Sequence, residues 1–400
     1  MKKSSLYAAA VLLAIIAVAA YSCKKINAIN NQNVIETPFS LYFCDTSGTL
    51  FLTNDGKKIS PVIFPPDGKP CRALITSGNN ILWAKDSLYF STNEGTNFNH
   101  SYDSLYWKPD TAINGVAINL NQSMLINIPS WGNRVYASSR ASSMLDGSTL
   151  YPSYLGLVYS DQNGAIGTWH FENSYDTTHV GILPVKMYSF TQLANGYLCG
   201  LAFENKRLPA PGAYNLRYAR NFYKPAKDDR WLETTANPDN SGSVYSGNPS
   251  GTPLPPHGTV MTDSSFFTLG HYNNRLIAID NRGKYGAWYS DDYGANWAQY
   301  TGLPNRPLRC ISAPFEEVCL IGTDSAGLYI YNTNTHVWQQ NNSGLASNLV
   351  VRNIAFKQNI FKNGTIQKYI YLATNKGIFQ STDGGVNWIM TIAGNYTALY

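Results

Sequence analysis

Two carboxyl groups facing each other across a sugar can hydrolyse a glycosidic bond, one as proton donor and the other as base or nucleophile. The 400-residue chain carries 25 acidic residues from which such a pair could be drawn. Two doublets, Asp228-Asp229 and Glu316-Glu317, sit in tight loops, and neither has a visible partner. Most other acids, among them Asp45, Asp55, Asp67, Asp161 and Asp324, fall in turns, where a short carboxylate ordinarily caps neighbouring amides. His100, His170, His179, His257, His271 and His336 form no HxH or HExxH pattern and do not pair with Cys at zinc-site spacing. There is no G-x-S-x-G elbow and no phosphate-binding loop. No catalytic residue, metal or cofactor is assigned on this basis.

The informative pattern is a repeat. Ser290-x-Asp292-x-Gly294-x-x-Trp297 recurs as Ser381-x-Asp383-x-Gly385-x-x-Trp388. In each, the Asp accepts hydrogen bonds from turn amides, Gly supplies a positive φ, and Ser and Trp lock the turn against the next strand. Degenerate copies run from Ser91 to Phe98, from Ser160 to Trp169 and from Asn332 to Trp338, and Trp231 follows a looser turn after Tyr218-Ala219-Arg220-Asn221. The strands between these turns group into four-stranded units. The last unit reads Asn353–Gln358, Tyr369–Thr374, Gly377–Ser381 and Asn387–Ile392. Its predecessors start at Leu308 and Phe266, and three longer units lie around 72–103, 114–175 and 184–235.

The first unit has only three strands, Leu41–Cys44, Thr49–Thr53 and Lys58–Phe64, while Tyr396–Tyr400 is left over at the other end. Pairing these two ends removes two exposed sheet edges. The expected fold is all-β: a seven-bladed β-propeller of four-stranded antiparallel blades, closed by the C-terminal strand. Six or eight blades follow if the 114–175 segment is divided differently.

The repeated stretch is the Asp-box, or BNR, motif, and residues 37–400 resemble secreted Asp-box propellers, similar in repeat pattern to photosystem II assembly-factor and sortilin-like propellers. That resemblance implies a binding or assembly scaffold in which Ser290, Asp292, Gly294, Trp297, Ser381, Asp383, Gly385 and Trp388 are structural. Sialidases share these boxes, but their Arg-Ile-Pro motif is absent here; Arg306-Pro307 lies late and in a loop. A carbohydrate-active glycoside hydrolase is the alternative reading.

The N-terminus reads as an export signal. Lys2-Lys3 precede an apolar run from Leu6 to Ala20 and then Ser22-Cys23-Lys24-Lys25. This resembles a bacterial lipoprotein signal over 1–22, with Cys23 as the lipid-bearing residue and 23–36 as a polar tether; an ordinary signal peptide with a chance Cys is the competing reading. The tether lacks an acidic cluster, which favours a periplasm-facing rather than a surface-exposed protein. Five further cysteines, Cys44, Cys71, Cys199, Cys310 and Cys319, leave at least one free thiol. Cys310 and Cys319 face each other across a hairpin, either as a disulfide or as packed thiols.

Composition agrees with this picture: 13% aromatic residues, 14% charged and 32 Gly suit an all-β domain rich in turns. A net charge of +5 without a Lys/Arg cluster argues against nucleic acid. Long insertions at 101–113, 138–154, 204–214 and 235–257 are expected on the face opposite the boxes. Trp107, Tyr151, Tyr154 and Tyr214 within them are candidate ligand-binding residues for a protein or glycan partner.

Overall fold

The computed structural model describes residues 34–61, 71, 73–85, 88–101, 125–138, 157–172, 185–207, 215–234 and 267–400. Its strands follow the two-residue alternation of the sequence. β1 (Ile35–Thr37), β2 (Leu41–Asp45), β3 (Leu50–Thr53) and β4 (Ser60–Pro61) come first, then β5 (Ala73–Ser77), β6 (Asn80–Ala84), β7 (Leu88–Ser91) and β8 (Asn99–His100). β9 (Leu125–Ile128), β10 (Arg134–Ser138), β11 (Leu157–Ser160) and β12 (Trp169–Phe171) make the next group. β13 (Val185–Gln192), β14 (Leu198–Arg207), β15 (Asn215–Lys224) and β16 (Leu232–Glu233) follow. After them come β17 (Phe267–Tyr272), β18 (Arg275–Asp280), β19 (Ala287–Ser290) and β20 (Ala298–Gln299). The chain continues through β21 (Leu308–Ser312), β22 (Leu320–Thr323), β23 (Leu328–Asn332) and β24 (Val337–Gln340). It finishes with β25 (Val351–Phe361), β26 (Ile366–Thr374), β27 (Gly377–Ser381), β28 (Ile389–Ala393) and β29 (Tyr396–Leu399).

The described strands form seven antiparallel sheets. Six are four-stranded, and in five of these the strands follow one another in chain order. The exceptions involve the chain's two ends. β29 precedes β2, β3 and β4, with Phe43 opposite Leu399 and Cys44 opposite Ala398, and β1 adds a fifth strand beside β25. The first strand of one sheet touches the first strand of the next: β5 meets β9, β13 meets β17, β17 meets β21, β21 meets β25, and β29 meets both β25 and β5.

The cores lie between the sheets. Leu82 and Val158 join β6 to β11, Ile277 and Ile321 join β18 to β22, and Leu41, Phe43, Tyr371 and Ala373 join β2 to β26. Small sheets, each unable to cover both apolar faces alone, are thereby packed face to face around a common axis, the architecture of a β-propeller.

Two expectations need correction. Glu204–Arg207 are not loop: they extend β14, and the ladder to β15 runs on to Arg207 opposite Asn215. Residues 218–221 are not a turn but the middle of β15; the turn before Trp231 spans 225–230, where Pro225 removes a ladder donor. Cys310 and Cys319 are both free thiols, as are Cys44, Cys71 and Cys199.

Candidate functional site

The repeated turn joins the third and fourth strands of a sheet and is built from its own side chains. Asp292 Oδ1 accepts from the Ser290 hydroxyl at 2.7 Å and from the Asn296 amide at 2.8 Å, and its Oδ2 accepts from Asn296 Nδ2 at 2.7 Å. The Ser290 hydroxyl in turn accepts from the Gly294 amide at 2.8 Å. Asp383 repeats the set with Ser381 at 2.8 Å, the amides of Val386 and Asn387 at 3.1 and 3.0 Å, and Asn387 Nδ2 at 2.8 Å. Trp297 and Trp388 are buried against residues of the preceding sheet, Leu201 and Leu320 among them, and the Trp388 ring N–H donates to Gly385 O.

Each of four turns also places the residue before its glycine in the left-handed region: Glu94 (φ 55), Asn163 (φ 54), Tyr293 (φ 60) and Gly384 (φ 74). Asn and Gly suit that conformation, whereas an aromatic there is strained. The Tyr293 ring stacks with Tyr197 and Tyr223 of the preceding sheet, centroids 5.2 and 5.3 Å away.

A turn not recognised from sequence belongs to the same class. Between β3 and β4, the Thr53 hydroxyl donates to Asp55 and accepts from the Gly56 amide, while the amides of Lys57 and Lys58 donate to Asp55. Thr53-x-Asp55-Gly56 was its only sequence signal; the expected Trp and the standard glycine spacing are missing.

Charged pairs brace the same end of the sheets. Arg134 Nε and Nη2 donate to the two oxygens of Asp161 at 2.7 and 2.8 Å, and a further N–H donates to Lys227 O. Behind them Lys224 and Glu172 form an ion pair at 3.0 Å, both side chains 2% exposed, with the Tyr136 hydroxyl donating to the same Glu172 oxygen. The signal for Arg134 was an Arg at the mouth of an alternating strand, with an Asp immediately after the turn's Ser.

The electrostatics favour fixed charge over proton transfer. The Asn387 amide first, then its side chain and the Ser381 hydroxyl, hold the Asp383 carboxyl down to about 2, against an opposing effect of burial. Burial pushes Asp292 upward, but Asn296 and Ser290 outweigh it and the net shift is downward. Arg134, helped by Lys227, holds Asp161 at about 2. Burial lowers Lys224, with Glu172 opposing, and pushes the Cys199 and Cys310 thiols up to about 12. A carboxyl pulled down and saturated with donors is a poor general acid at neutral pH. Among the described residues, no three His, Cys, Asp or Glu side chains converge as metal ligands.

The eight turn residues singled out from sequence therefore converge in two separate groups of four, one in each of two sheets. Cys23, Trp107, Tyr151, Tyr154 and Tyr214 lie outside the described residues. The connections that carry those aromatics have defined ends, however. The four longest, 101–124, 139–156, 172–184 and 234–266, all join a second to a third strand or a fourth strand to the next sheet. In an antiparallel sheet those ends lie opposite the repeated turns.

Fold and turns together define an all-β propeller with hydrogen-bond-saturated turns at one end and long connections at the other. No family profile matches the chain. A xyloglucanase of Paenibacillus sp. is 29% identical over 119 residues, which is 29% of this chain and 9% of the enzyme, so the chain spans only a small part of that relative's length. Among solved structures, YCF48 bound to D1 peptide is 12% identical with a TM-score of 0.45, covering 86% of this chain and 88% of that one. YCF48 from Cyanidioschyzon merolae (13%, TM-score 0.44) covers 82% and 86% of the two chains. A xyloglucanase from Xanthomonas campestris (11%, 0.41) covers 88% and 58%.

Proposed function

We propose that the protein is a lipid-anchored scaffold of the bacterial cell envelope that binds or assembles a protein or glycan partner. On this reading the seven sheets are seven blades of one ring, closed by β29, and the repeated turns are Asp-boxes that stiffen it. Residues 1–22 are the signal, Cys23 carries the lipid, and 23–36 tether the propeller, facing the periplasm or the surface. The partner is bound by the long connections, where Trp107, Tyr151, Tyr154 and Tyr214 supply aromatic contacts.

The observation that carries this reading is the division of labour between the two ends of the sheets. Every anchoring carboxylate of the repeated turns is committed to its own turn, whereas the long connections leave from the other end of the strands. Long loops on a rigid frame are where recognition is usually placed. The test is a pull-down from envelope extract with the tethered protein. A partner should be retained by the intact chain and lost when 139–156 is replaced by a short Gly/Ser linker. Equal recovery with both proteins would refute the assignment.

A glycoside hydrolase is the second reading, favoured by the 119-residue stretch shared with a xyloglucanase. It requires two carboxyl groups roughly 5–10 Å apart in a cleft. Release of reducing ends from xyloglucan by the purified chain would establish it.

A further inference from the structure

The last sheet is extended at one end. β25 and β26 are 11 and 9 residues long, against 5 and 4 for the equivalent β21 and β22. β27 covers only Ile370–Ala373 of β26, so Ile366–Tyr369 and their partners Lys357–Ile360 run on past the sheet as a two-stranded arm. The arm points to the end that carries the repeated turns, because its tip joins a first strand to a second. At that tip the chain arrives from its N-terminal segment: Ile35 pairs with Phe361, and the Lys362 amide donates to Val34 O at 3.0 Å.

The surface there is apolar. Val34, Ile35, Phe356 and Ile366 are between 41% and 50% exposed, and Phe361 is half-buried beside them. Lys362 is exposed at the tip, and Lys57 and Lys58 are exposed on the β3–β4 turn, whose Gly56 abuts the Tyr371 hydroxyl at the root of the arm. The acidic side chains nearby are Glu36, Asp55 and Glu317; Asp55 is held by its own turn, and Glu317 is paired with Lys368. Exposed aliphatic and aromatic groups rimmed by lysines are the composition of a surface that settles into a lipid headgroup layer.

We propose that this arm, with β1 along its edge, is a membrane-contact surface that seats the propeller on the anionic lipid leaflet to which it is tethered. The inference rests on the lipid-anchor reading above. Eleven residue steps separate Cys23 from Val34, a reach of at most about 40 Å fully extended. Because the tether is paired to the arm's tip, the arm is the first part of the body to meet the bilayer. The long connections at the opposite end are then held outward, free to take a partner.

The test uses the full chain reconstituted in vesicles of phosphatidylethanolamine and phosphatidylglycerol. An environment-sensitive dye is attached at Asn363→Cys on the arm's tip, or at Lys376→Cys on the β26–β27 turn at the other end of the same sheet. Cys44, Cys71, Cys199 and Cys319 are buried; the half-buried Cys310 is replaced by Ala in every protein compared, and the dye-treated Cys310→Ala protein gives the background. The tip dye should shift to the blue and be quenched by acyl-chain nitroxides several-fold more than the dye at 376. Phe361→Ser with Ile366→Ser should abolish that quenching while the protein still floats with the vesicles. If the protein floats but the tip dye is no more quenched than that at 376, the contact surface is wrong and the anchor stands. If it does not float at all, both fall.

Discussion

Arg134 and Arg275 occupy the same place in two different sheets. Each opens a second strand, each grips the Asp that follows a turn serine through both carboxylate oxygens, and each lies 4.3 Å from the ring of the preceding Tyr, Tyr159 or Tyr289. Their burial differs, with the Arg134 side chain 4% exposed and that of Arg275 30% exposed, and Arg134 alone also donates to the Lys227 carbonyl and reaches Asp228. The same bidentate contact is thus held once in a buried network and once near the surface.

Arg134→Ala should cost about 2 kcal/mol, because it leaves the Lys227 carbonyl without its donor and Asp161 with Lys227 alone, beside a buried ion pair. Arg275→Ala should cost at most about 1 kcal/mol, as screened pairs do. Urea denaturation at neutral pH measures both; equal losses would contradict the burial argument.

Asp383 bears on acid stability. Its folded-state value of about 2 lies below the ordinary carboxylate value of about 3.9. A group with a depressed folded value contributes stability that is fully present above the unfolded value and is lost as pH falls through the folded one. The window thus runs from about pH 4 down to about pH 2, and Asp161 acts in the same range. Asp383→Asn should flatten the fall of the urea midpoint across that window, and an unchanged slope would count against the turn's hydrogen bonds. At neutral pH, Asp292→Ala and Asp383→Ala should each cost about 1–2 kcal/mol through unpaired amides, without loss of partner binding.

Gly344 and Gly364 share almost the same backbone angle, φ 80 and 81. A Cβ on Gly364 meets nothing within 4 Å, while one on Gly344 would sit 2.0 Å from the Trp388 carbonyl oxygen. Gly364→Ala should cost about 1 kcal/mol from the left-handed conformation alone. Gly344→Ala should cost clearly more, because the β24–β25 connection must lift off the turn's Trp. Thermal melts of the two variants compare these terms directly.

Deleting 396–400 should destabilise the entire domain. It bares the edge of β2 and removes Tyr396 and Leu399 from the core shared with Phe43 and Tyr371. Loss of the cooperative melt is the expected result; a melt within a degree or two of wild type would show that the pairing does not hold the ring.

Cys23 should incorporate a fatty-acid probe in cells, and Cys23→Ala should not. Label retained in the variant would place the anchor elsewhere or remove it.

Sequence patterns revealed what local physics determines. Ser290 to Trp297 is one self-contained hydrogen-bonded turn, so its eight residues announce themselves. Tyr396–Leu399 was legible because a short first unit and a leftover strand are complementary deficits. Longer-range features were hidden. Arg134 and Asp161 are 27 residues apart across a long connection, and nothing in either neighbourhood names the other. The strand through 218–221 was obscured because β14 and β15 outrun their sheet, displacing the turn signal to Pro225. Loop length and residue type alone mark the aromatics at 107, 151, 154 and 214, and neither carries geometry.

The ladder between Phe43 and Leu399 also sets a timetable for making the protein. β2, β3 and β4 are synthesised before β5 to β28, but their inner neighbour β29 arrives only after all of these. Until then the first blade has an open edge and an uncovered apolar face, a state prone to pairing with the wrong strand. If the chain is exported through a translocation pore, that interval lasts while β5 to β28 cross. A chaperone that holds β2 during this period would act on a contact that cannot form early. Circularly permuted versions starting at β29 should need it least.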